Sequence, residues 1–407
     1  MTGLPLQGVK VLEVASHVLV PMSGSVLAEW GAEVTKIEHP ETGDPYRGLA
    51  TVGLHTVYQG ADTFFQSANR GKRSVGIDLH HPDGRRVLAE LIRRSDVFAT
   101  NFRPDTCERM KIDVAGVRRD NPSAIYVRGT AFGSRGPDAW RGGYDTGAYW
   151  ARSGMQHMLT PPGLSWPPVA RPAFGDVVGA LAIAGAVSAA LFRRGATGEP
   201  AIIDVSLLAT GMWQIQTDVV NAAIAEDAGP APTAPDRFHV WNPLMLPYRT
   251  SDDRFVALMV LSPDPHWPAL CQCLGRPELA VDPRFADMDV RRQHAAECVS
   301  ELDAIFATRA LEEWQKALAG FQGEWAPVQT PKEVLRDPQV KANGWVASAE
   351  MANGARLPLV TSPVQFDEHP GRPQRAPEHG EHTEQVLLEL GISWDDISDL
   401  KQRGAVL

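Results

Sequence analysis

The spacing of apolar and polar residues changes repeatedly along the N-terminal third of the chain. Five short apolar runs predict strands, at 9–15, 33–40, 74–79, 97–102 and 123–133. The segments 23–31 and 82–95 between them show helical spacing, and the second sets arginines opposite an apolar face. Strands that alternate with helices predict an α/β fold with a largely parallel sheet that is covered on both faces.

A different pattern follows the Pro- and Ala-rich segment 227–236, which predicts a linker. The segment 248–261 predicts a β-hairpin that turns at 251–254. Helical stretches at 264–275 and 292–320 come next. Together these elements predict a small α+β module.

Further elements flank this module. Before it, 201–208 predicts a strand that leads into a helical stretch at 208–226. After it, 356–366 predicts a pair of strands, and 380–391 predicts an amphipathic helix that ends at Gly391.

One carboxylate stands before a long uncharged segment: sixteen residues without a charge separate Asp176 from Arg193 and Arg194. An aspartate there is typical of a helix N-cap, and the arginines complement the other end of the helix dipole. The same position also suits a nucleophile, because helix amides stabilise an ionised carboxylate while burial removes its water. The residues alone leave both interpretations open.

The uncharged segment is slightly short for a membrane span and is rich in Gly and Ala. Gly179, Ala182, Ala186 and Ala189 recur at spacings of three and four, which favours close packing against another helix. We therefore expect a buried helix and no membrane partner.

Composition narrows the class of protein. The 407 residues suffice for two or three domains, and a net charge of -10 argues against nucleic acid as a partner. Four scattered cysteines, two of them in "CQC" without a second pair at metal spacing, predict core thiols and no metal. With no secretory signal in the opening residues, we expect a cytoplasmic protein.

The turn after the first predicted strand reads "SHVLVPMSG" and lacks the G-x-G-x-x-G fingerprint of dinucleotide-binding proteins. The sequence therefore predicts a Rossmann-like domain without nicotinamide chemistry.

Several long stretches resemble one family. "LQGVKVLEVAS", "LAEWGAEVTKIEHPETGDPYR", "NRGKRSVGIDLHHPDGRRVLAELIRRSDVFATNFRPDTCERM" and "GDVVGALAIAGAVSAALFRRGATGEPAIIDVSLL" are similar, in this order, to class III (CaiB/BaiF) CoA-transferases. The resemblance implies a Rossmann-like large domain formed by residues 1–225 and 326–407, with a small α+β domain at 226–325 inserted. It also implies an interlocked homodimer.

The resemblance further implies a reaction and a catalytic residue. Enzymes of this family move CoA from an acyl-CoA thioester to a free carboxylic acid through a mixed anhydride and an aspartyl-CoA thioester on one aspartate. That aspartate follows a glycine at the start of a long helix, and Asp176 matches it.

Residues that bind the CoA moiety are likewise implied by position. They are His17, Leu19, Val20, His39, Ile77, His80, Asn101, Phe102, Arg103, Arg109 and Tyr144, with Arg109 the first choice for a phosphate. Lys72 and Arg73 match a family motif but are expected to bridge carboxylates in the fold. Gly142 replaces a lysine of the oxalate-using family member, whose glycine-rich loop also has no counterpart, so oxalate is not the expected substrate.

Two other functions remain open. The related α-methylacyl-CoA racemases use a histidine in "GHD", where this chain has Tyr144 and Asp145, and His157 lies thirteen residues further on. A CoA-binding protein without catalysis is the third possibility. For a transferase, an apolar or bulky acid is favoured as substrate if an acyl pocket is lined by Met155, Met158, Leu159, Trp166 and Trp241. The alternative that these residues belong to the core stays open.

Overall fold

The computed structural model describes residues 3–161, 163–225 and 236–407. They divide into two compact units, of which the larger takes residues 3–157, 168–225 and 338–407 and the smaller takes residues 158–161, 163–167 and 236–337. The predicted linker at 227–236 lies, except for its last residue, outside the described residues.

The strands of the described residues are, in chain order, β1 (Lys10–Val14), β2 (Glu33–Glu38), β3 (Val57–Tyr58), β4 (Ala61–Asp62), β5 (Arg73–Gly76), β6 (Val97–Thr100), β7 (Ile125–Thr130), β8 (Ile202–Ser206), β9 (Pro247–Arg249), β10 (Phe255–Leu258), β11 (Trp325–Pro327), β12 (Val346–Glu350) and β13 (Arg356–Val360).

The α-helices are α1 (Leu19–Glu29), α2 (Pro45–Gly48), α3 (Thr63–Asn69), α4 (Pro82–Arg93), α5 (Pro104–Met110), α6 (Val114–Asp120), α7 (Met155–Met158), α8 (Phe174–Thr197), α9 (Leu207–Gln214), α10 (Gln216–Ile224), α11 (Pro263–Cys273), α12 (Met288–Gln293), α13 (Ala295–Phe306), α14 (Leu311–Ala317), α15 (Pro331–Val334), α16 (Pro338–Ala342), α17 (Thr383–Glu389) and α18 (Trp394–Gln402). A π-helical turn covers Thr146–Ala151.

The larger unit is built on a six-stranded sheet in the order β5-β2-β1-β6-β7-β8, with every neighbouring pair parallel. Successive residues of β1 enter opposite cores, because side chains alternate along a strand: Val11 packs on one face, and Leu12 and Val14 on the other. The predicted α/β fold with a parallel sheet is therefore confirmed. The strand order reverses between β1 and β6. Ligands of open parallel sheets bind at the carboxyl ends of the strands where the order reverses.

Helix α8 packs closely on α1 in one of these two cores. A β-carbon at Gly179 would lie 2.6 Å from Cδ1 of Leu19, so glycine is what allows the approach. The buried face consists of Gly175, Gly179, Ala180, Ile183, Ala184, Val187 and Ala190. The predicted small-residue stripe is therefore wrong at Ala182 and Ala189, which are exposed.

Helix α8 is also the one described helix that is long and apolar enough to cross a membrane by length and composition. Ile183, Ala184 and Val187 are completely buried in the core beside α1, as expected for a core helix. Arg194, near its C-terminal end, donates to a carboxylate oxygen of Asp96 at 2.6 Å.

The smaller unit contains a three-stranded antiparallel sheet in the order β11-β10-β9. The predicted hairpin is confirmed, since β9 and β10 pair across a turn that includes Asp253 in the left-handed region (φ 59). Trp267, Phe306 and Trp314 fill the core beneath the sheet. The predicted end of the small domain, at residue 325, is the first residue of β11, whereas the smaller unit continues to Asp337.

The C-terminal segment returns to the larger unit. Helices α17 and α18 contribute Leu387 and Ile397 to the core that contains Leu12. The predicted helix at 380–391 is confirmed, and Gly391 follows it at φ 86, a conformation that favours glycine. The predicted strand pair at 356–366 is wrong, because β13 pairs with the preceding β12.

Candidate active site

The candidate CoA-binding residues gather at one edge of the parallel sheet. His17 follows β1, His39 follows β2, Ile77 follows β5, and Asn101 follows β6. Parallel strands direct their carboxyl ends to the same edge, and ligands of such sheets bind where the strand order reverses. These predicted residues therefore lie along the carboxyl edge of the strands from β5 to β6.

A reciprocal pair of hydrogen bonds joins the loop after β1 to the residue that follows β6. Asn101 Nδ2 donates to the carbonyl of Ser16 at 2.7 Å, and the backbone N–H of Ser16 donates to Asn101 Oδ1 at 3.0 Å. The side chain of Asn101 thus fixes the loop after β1 against the end of β6, which makes it a structural part of the candidate site.

The loop after β1 is held from a second direction by Asp44. Oδ1 of Asp44 accepts the backbone N–H of His17 at 3.2 Å and that of Tyr46 at 2.9 Å. His17 has φ 64, which is uncommon for a residue with a side chain and is tolerated where the surroundings fix the backbone.

Asp44 belongs to a buried chain of charges that also includes Lys36, Glu13 and Lys72. Lys36 Nζ lies 2.8 Å from Asp44 Oδ2 and 3.0 Å from Glu13 Oε1, and Lys72 Nζ lies 2.8 Å from Glu13 Oε2. Burial lowers the pKa of Lys72 to about 8 despite Glu13. Lys72 thus pairs with Glu13, and Arg73 pairs with Glu389 at 2.7 Å, so both form ion pairs within the fold.

Aromatic rings surround His17. Its ring meets Tyr144 edge-on at a centroid distance of 5.4 Å and Tyr46 at 6.1 Å. Burial raises the pKa of Tyr46, with further contributions from Asp62 and Asp176 among the nearby carboxylates. His17, Tyr46 and Tyr144 therefore lie together, and the histidine that contacts Tyr144 is His17 rather than His157.

Asp176 is the third residue of α8, and the interpretation of it as a helix N-cap is wrong. The N-cap position belongs to Ala173, whose backbone is left-handed (φ 66). Among the described residues, the half-buried carboxylate of Asp176 has no hydrogen-bond partner. Burial, followed by repulsion from Asp145, raises the pKa of Asp176 to about 7. Such a carboxylate is more basic than an ordinary one and only partly ionised at neutral pH.

A second buried carboxylate near this site, Asp145, was not predicted from the sequence. The hydroxyl of Thr146 donates to its Oδ1 at 3.5 Å. Burial raises the pKa of Asp145, and nearby backbone N–H groups, that of Gly175 first, oppose the shift. Its Oδ2 is buried and has no hydrogen-bond partner among the described residues. Nothing in "GYD" marks this aspartate, because its neighbours come from a helix about thirty residues away.

Gly175 lies under the ring of Tyr149. A β-carbon at this position would overlap Cγ and Cβ of Tyr149. Tyr149 belongs to the π-helical turn that begins after Asp145, so the same short segment supplies both the buried carboxylate and the ring that covers Gly175. π-Helical turns occur frequently at functional sites.

Two cations suit phosphate groups: Arg109 on α5, and Arg103 immediately before this helix. Arg109 is exposed and, among the described residues, donates only to Thr106 Oγ1, at 3.3 Å. Arg103 is exposed at 3.8 Å from Asp105. A β-carbon at Gly142 would lie 3.5 Å from Cδ of Arg103, so Arg103 borders the position of the missing lysine.

The two histidines assigned to CoA differ in their surroundings. His39 Nδ1 accepts the backbone N–H groups of Glu41 and Thr42, which leaves Nε2 as the ring donor of a neutral imidazole. His80 is exposed, and its backbone N–H donates to Asp78. Neutral His39 can give a phosphate one hydrogen bond but no positive charge.

Four of the proposed CoA contacts have side chains that face inward. Leu19 and Val20 are buried beside α8, Ile77 is buried in the opposite core, and Phe102 packs against that same core. Contacts from Leu19, Val20 and Ile77 to CoA would therefore use the backbone. The first turn of α1 leaves its N–H groups without intrahelical partners, which suits this role.

Other features of the described residues lie apart from this site. A cavity of about 620 Å³ in the larger unit is lined by Trp30, Phe366 and Arg372 and by no candidate residue. Met155, expected to border the acyl group, is buried in the core, while Met158, Leu159, Trp166 and Trp241 belong to the smaller unit. The described residues contain no cluster of metal ligands.

The larger unit has a Rossmann-type parallel sheet, and its sequence lacks the dinucleotide fingerprint. Asp176, at the start of α8, is an unusually basic carboxylate. These features indicate an α/β enzyme whose carboxylate is suited to attack an acyl carbon. The sequence model of CoA-transferase family III matches residues 6–383, and the chain belongs to that family. The resemblance noted from the sequence is thereby confirmed. The protein is a CoA-transferase, and its substrates are CoA thioesters.

Individual relatives agree over nearly the full length. The cinnamoyl-CoA:phenyllactate CoA-transferase of Clostridium sporogenes is 29% identical over 398 residues, covering 97% of this chain and 95% of that protein. The succinate–glutarate CoA-transferase of Agrobacterium fabrum is 32% identical over 397 residues, covering 95% and 96%. The crystal structure of a CAIB/BAIF family protein from Brucella suis has a TM-score of 0.83 at 27% identity, covering 96% of this chain and 100% of that one.

Proposed function

We propose that this enzyme transfers CoA from an acyl-CoA thioester to a free carboxylic acid through covalent intermediates on Asp176. The observation that carries the proposal is the half-buried Asp176 in the first turn of α8, whose carboxylate is unusually basic and has no hydrogen-bond partner among the described residues. A basic, poorly solvated carboxylate is a strong nucleophile towards a thioester.

The proposed exchange has four steps. Asp176 attacks the thioester carbonyl, the carbon–sulfur bond breaks, and CoA leaves as a thiolate from a mixed anhydride. The thiolate attacks the aspartyl carbonyl, which releases the donor acid and forms an aspartyl-CoA thioester. The acceptor carboxylate attacks this thioester, and the thiolate finally attacks the acyl carbonyl of the new anhydride. Asp176 is regenerated, and no proton is gained or lost.

The CoA moiety would bind along the carboxyl edge of the parallel sheet. Arg109 on α5 and Arg103 immediately before it would contact its phosphates, and the start of α1 would offer backbone N–H groups. His39 and His80 would supply single hydrogen bonds. Tyr144, next to His17 and exposed, would border the reacting thioester.

The acid substrate is proposed to be apolar or bulky. Phe174 and Val177, in the same helical turn as Asp176, expose apolar side chains, as does Tyr144. The relative from Clostridium sporogenes acts on phenyllactate, an acid of this kind, whereas the one from Agrobacterium fabrum acts on succinate and glutarate. A panel of acyl-CoA donors against aryl, branched and dicarboxylic acids, read by thioester exchange, tests this proposal.

We also propose a homodimer. Phe192, Trp213 and Ile224 on α8, α9 and α10 are at least two-thirds exposed, and apolar surface of this kind is typical of protein interfaces. Light scattering at several protein concentrations would give the molar mass, and a monomer throughout would contradict the proposal.

The mechanism is tested by intact mass after incubation with acyl-CoA thioesters. An adduct that hydroxylamine removes is expected in the wild type and in Asp395→Asn, which alters an exposed aspartate that is likewise in the first turn of a helix. Asp176→Asn and Asp176→Ala should bind CoA but form no adduct and show no transfer. Wild-type turnover in either variant would refute the mechanism.

A further inference from the structure

The segment 142–144, which follows β7 in the chain, lies against residues at the carboxyl edge of the parallel sheet. A β-carbon at Gly143 would lie 3.1 Å from Cε2 of Phe132, the second residue after β7. The ring of Tyr144 meets that of His17, the third residue after β1, at a centroid distance of 5.4 Å. The backbone of this segment is therefore held at the edge to which the candidate CoA-binding residues belong.

Two arginines are neighbours at this segment. Arg103 is the third residue after β6, and a β-carbon at Gly142 would lie 3.5 Å from its Cδ. Arg141 immediately precedes Gly142, so the side chain of Arg103 passes beside the backbone from which Arg141 projects. Both arginines are exposed. Two guanidinium groups are thus available to one ligand at the carboxyl edge.

These arginines have few anionic partners. Nε of Arg103 lies 3.8 Å from Asp105, and Nη1 of Arg141 lies 3.9 Å from Oδ1 of Asp138, whose other oxygen pairs with Arg152. Neither Arg103 nor Arg141 donates a side-chain hydrogen bond to any described residue, because both distances exceed the hydrogen-bond range. Three arginines therefore share two aspartates. In a protein with a net charge of -10, this local excess of positive charge suits an anionic ligand.

The ring of Phe132 orients part of this cluster. The guanidinium carbon of Arg141 lies 5.2 Å from the ring centroid, and that of Arg152 lies 4.8 Å from it. A guanidinium over an aromatic ring is held by the electrostatic attraction of the ring face. Arg141 therefore loses less conformational freedom on binding an anion than an arginine without such a contact.

We propose that Arg103 and Arg141 together bind the diphosphate of the CoA thioester. The proposal rests on the proposed function, because it requires the reacting thioester to lie beside Tyr144. Arg141 precedes Tyr144 by three residues, so their Cα atoms are at most about 11 Å apart. Along the CoA molecule the diphosphate lies closer to the thioester than the 3′-phosphate does. Two neighbouring guanidinium groups also match its two successive phosphoryl groups.

The test is calorimetric titration of the enzyme with CoA and with 3′-dephospho-CoA. In Arg141→Gln the Kd of both ligands should rise about tenfold or more, because hydrogen bonds to a charged group are lost. The kcat/KM for acyl-pantetheine, which lacks phosphates, should keep its wild-type value. Arg119→Gln removes an exposed arginine beside Asp120 and should change none of these quantities. Arg141→Lys, which keeps the charge but not the planar fork, should recover part of the lost affinity.

A double-mutant cycle tests whether the two arginines bind the same group. The Kd of the variant with both Arg103→Gln and Arg141→Gln should fall short of the product of the single effects by about threefold or more. Additive effects would overturn the shared site. Unchanged affinity in Arg141→Gln, or a loss confined to CoA with its 3′-phosphate, would overturn the assignment to the diphosphate. Failure of the proposed mechanism is distinguishable, since the wild type would then form no adduct while these affinities would still be measured.

Discussion

Nζ of Lys36 lies 2.8 Å from Oδ2 of Asp44, and both side chains are almost completely buried. The second oxygen of Asp44 accepts the N–H groups of His17 and Tyr46, so the ion pair connects β2 to the loop at the candidate site. A buried pair contributes little net stability, yet removing one partner leaves an uncompensated charge.

Replacement of Lys36 by methionine is expected to cost about 3–5 kcal/mol of unfolding free energy, because Asp44 and Glu13 would keep buried charges without their shared cation. Urea unfolding measures the loss. The matched variant Lys316→Met removes an exposed partner of Glu312 and should cost less than about 1 kcal/mol. Equal losses in the two variants would show that the buried chain of charges is not what holds this region.

The ionisation of Asp176 predicts a pH profile. Burial and Asp145 raise its pKa to about 7, and only the deprotonated form can attack a thioester. The kcat/KM for acyl-CoA should therefore fall about tenfold per pH unit below pH 7 and level off above it, since kcat/KM reports the free enzyme. The 3′-phosphate of CoA titrates near pH 6, so the profile is repeated with 3′-dephospho-CoA thioesters. An acid limb near pH 4 in both series would contradict the prediction.

The sheet could be predicted from sequence because its strands are short apolar runs that need partners on both faces, and Val11 and Leu12 show that arrangement directly. The same pattern placed candidate CoA-binding residues at the ends of the predicted strands, and in the structure His17, His39 and Asn101 follow β1, β2 and β6. The burial of Asp145 could not be predicted in this way, because it depends on parts of the chain that are distant in sequence. The strand pair at 356–366 failed for a related reason: β13 selects the earlier β12 as its partner, which periodicity alone cannot specify.

Two glycines of α8 are predicted to respond oppositely to alanine. Gly175→Ala places a β-carbon against the buried ring of Tyr149, so the start of the helix must shift, and we expect a loss of about 1–3 kcal/mol together with reduced transfer. Gly185→Ala meets no atom within 4 Å and should stabilise the protein by about 0.5–1 kcal/mol with unchanged transfer. Thermal unfolding and thioester exchange measure both variants. A Gly175→Ala enzyme with normal stability and activity would refute the close packing described here.

Arg109 is predicted to bind a phosphate of CoA. Its guanidinium is exposed and, in the part of the chain that the structure describes, donates only to Thr106, so it is available to a ligand at the end of α5. A hydrogen bond to a charged group is worth about 1.5–3 kcal/mol, and Arg109→Gln should therefore raise KM for acyl-CoA about tenfold or more. KM for the corresponding acyl-pantetheine, which lacks the nucleotide phosphates, should stay constant. Arg119→Gln, which removes an exposed arginine of α6 beside Asp120, should change neither value. An equal rise for both thioesters would exclude phosphate binding as the role of Arg109.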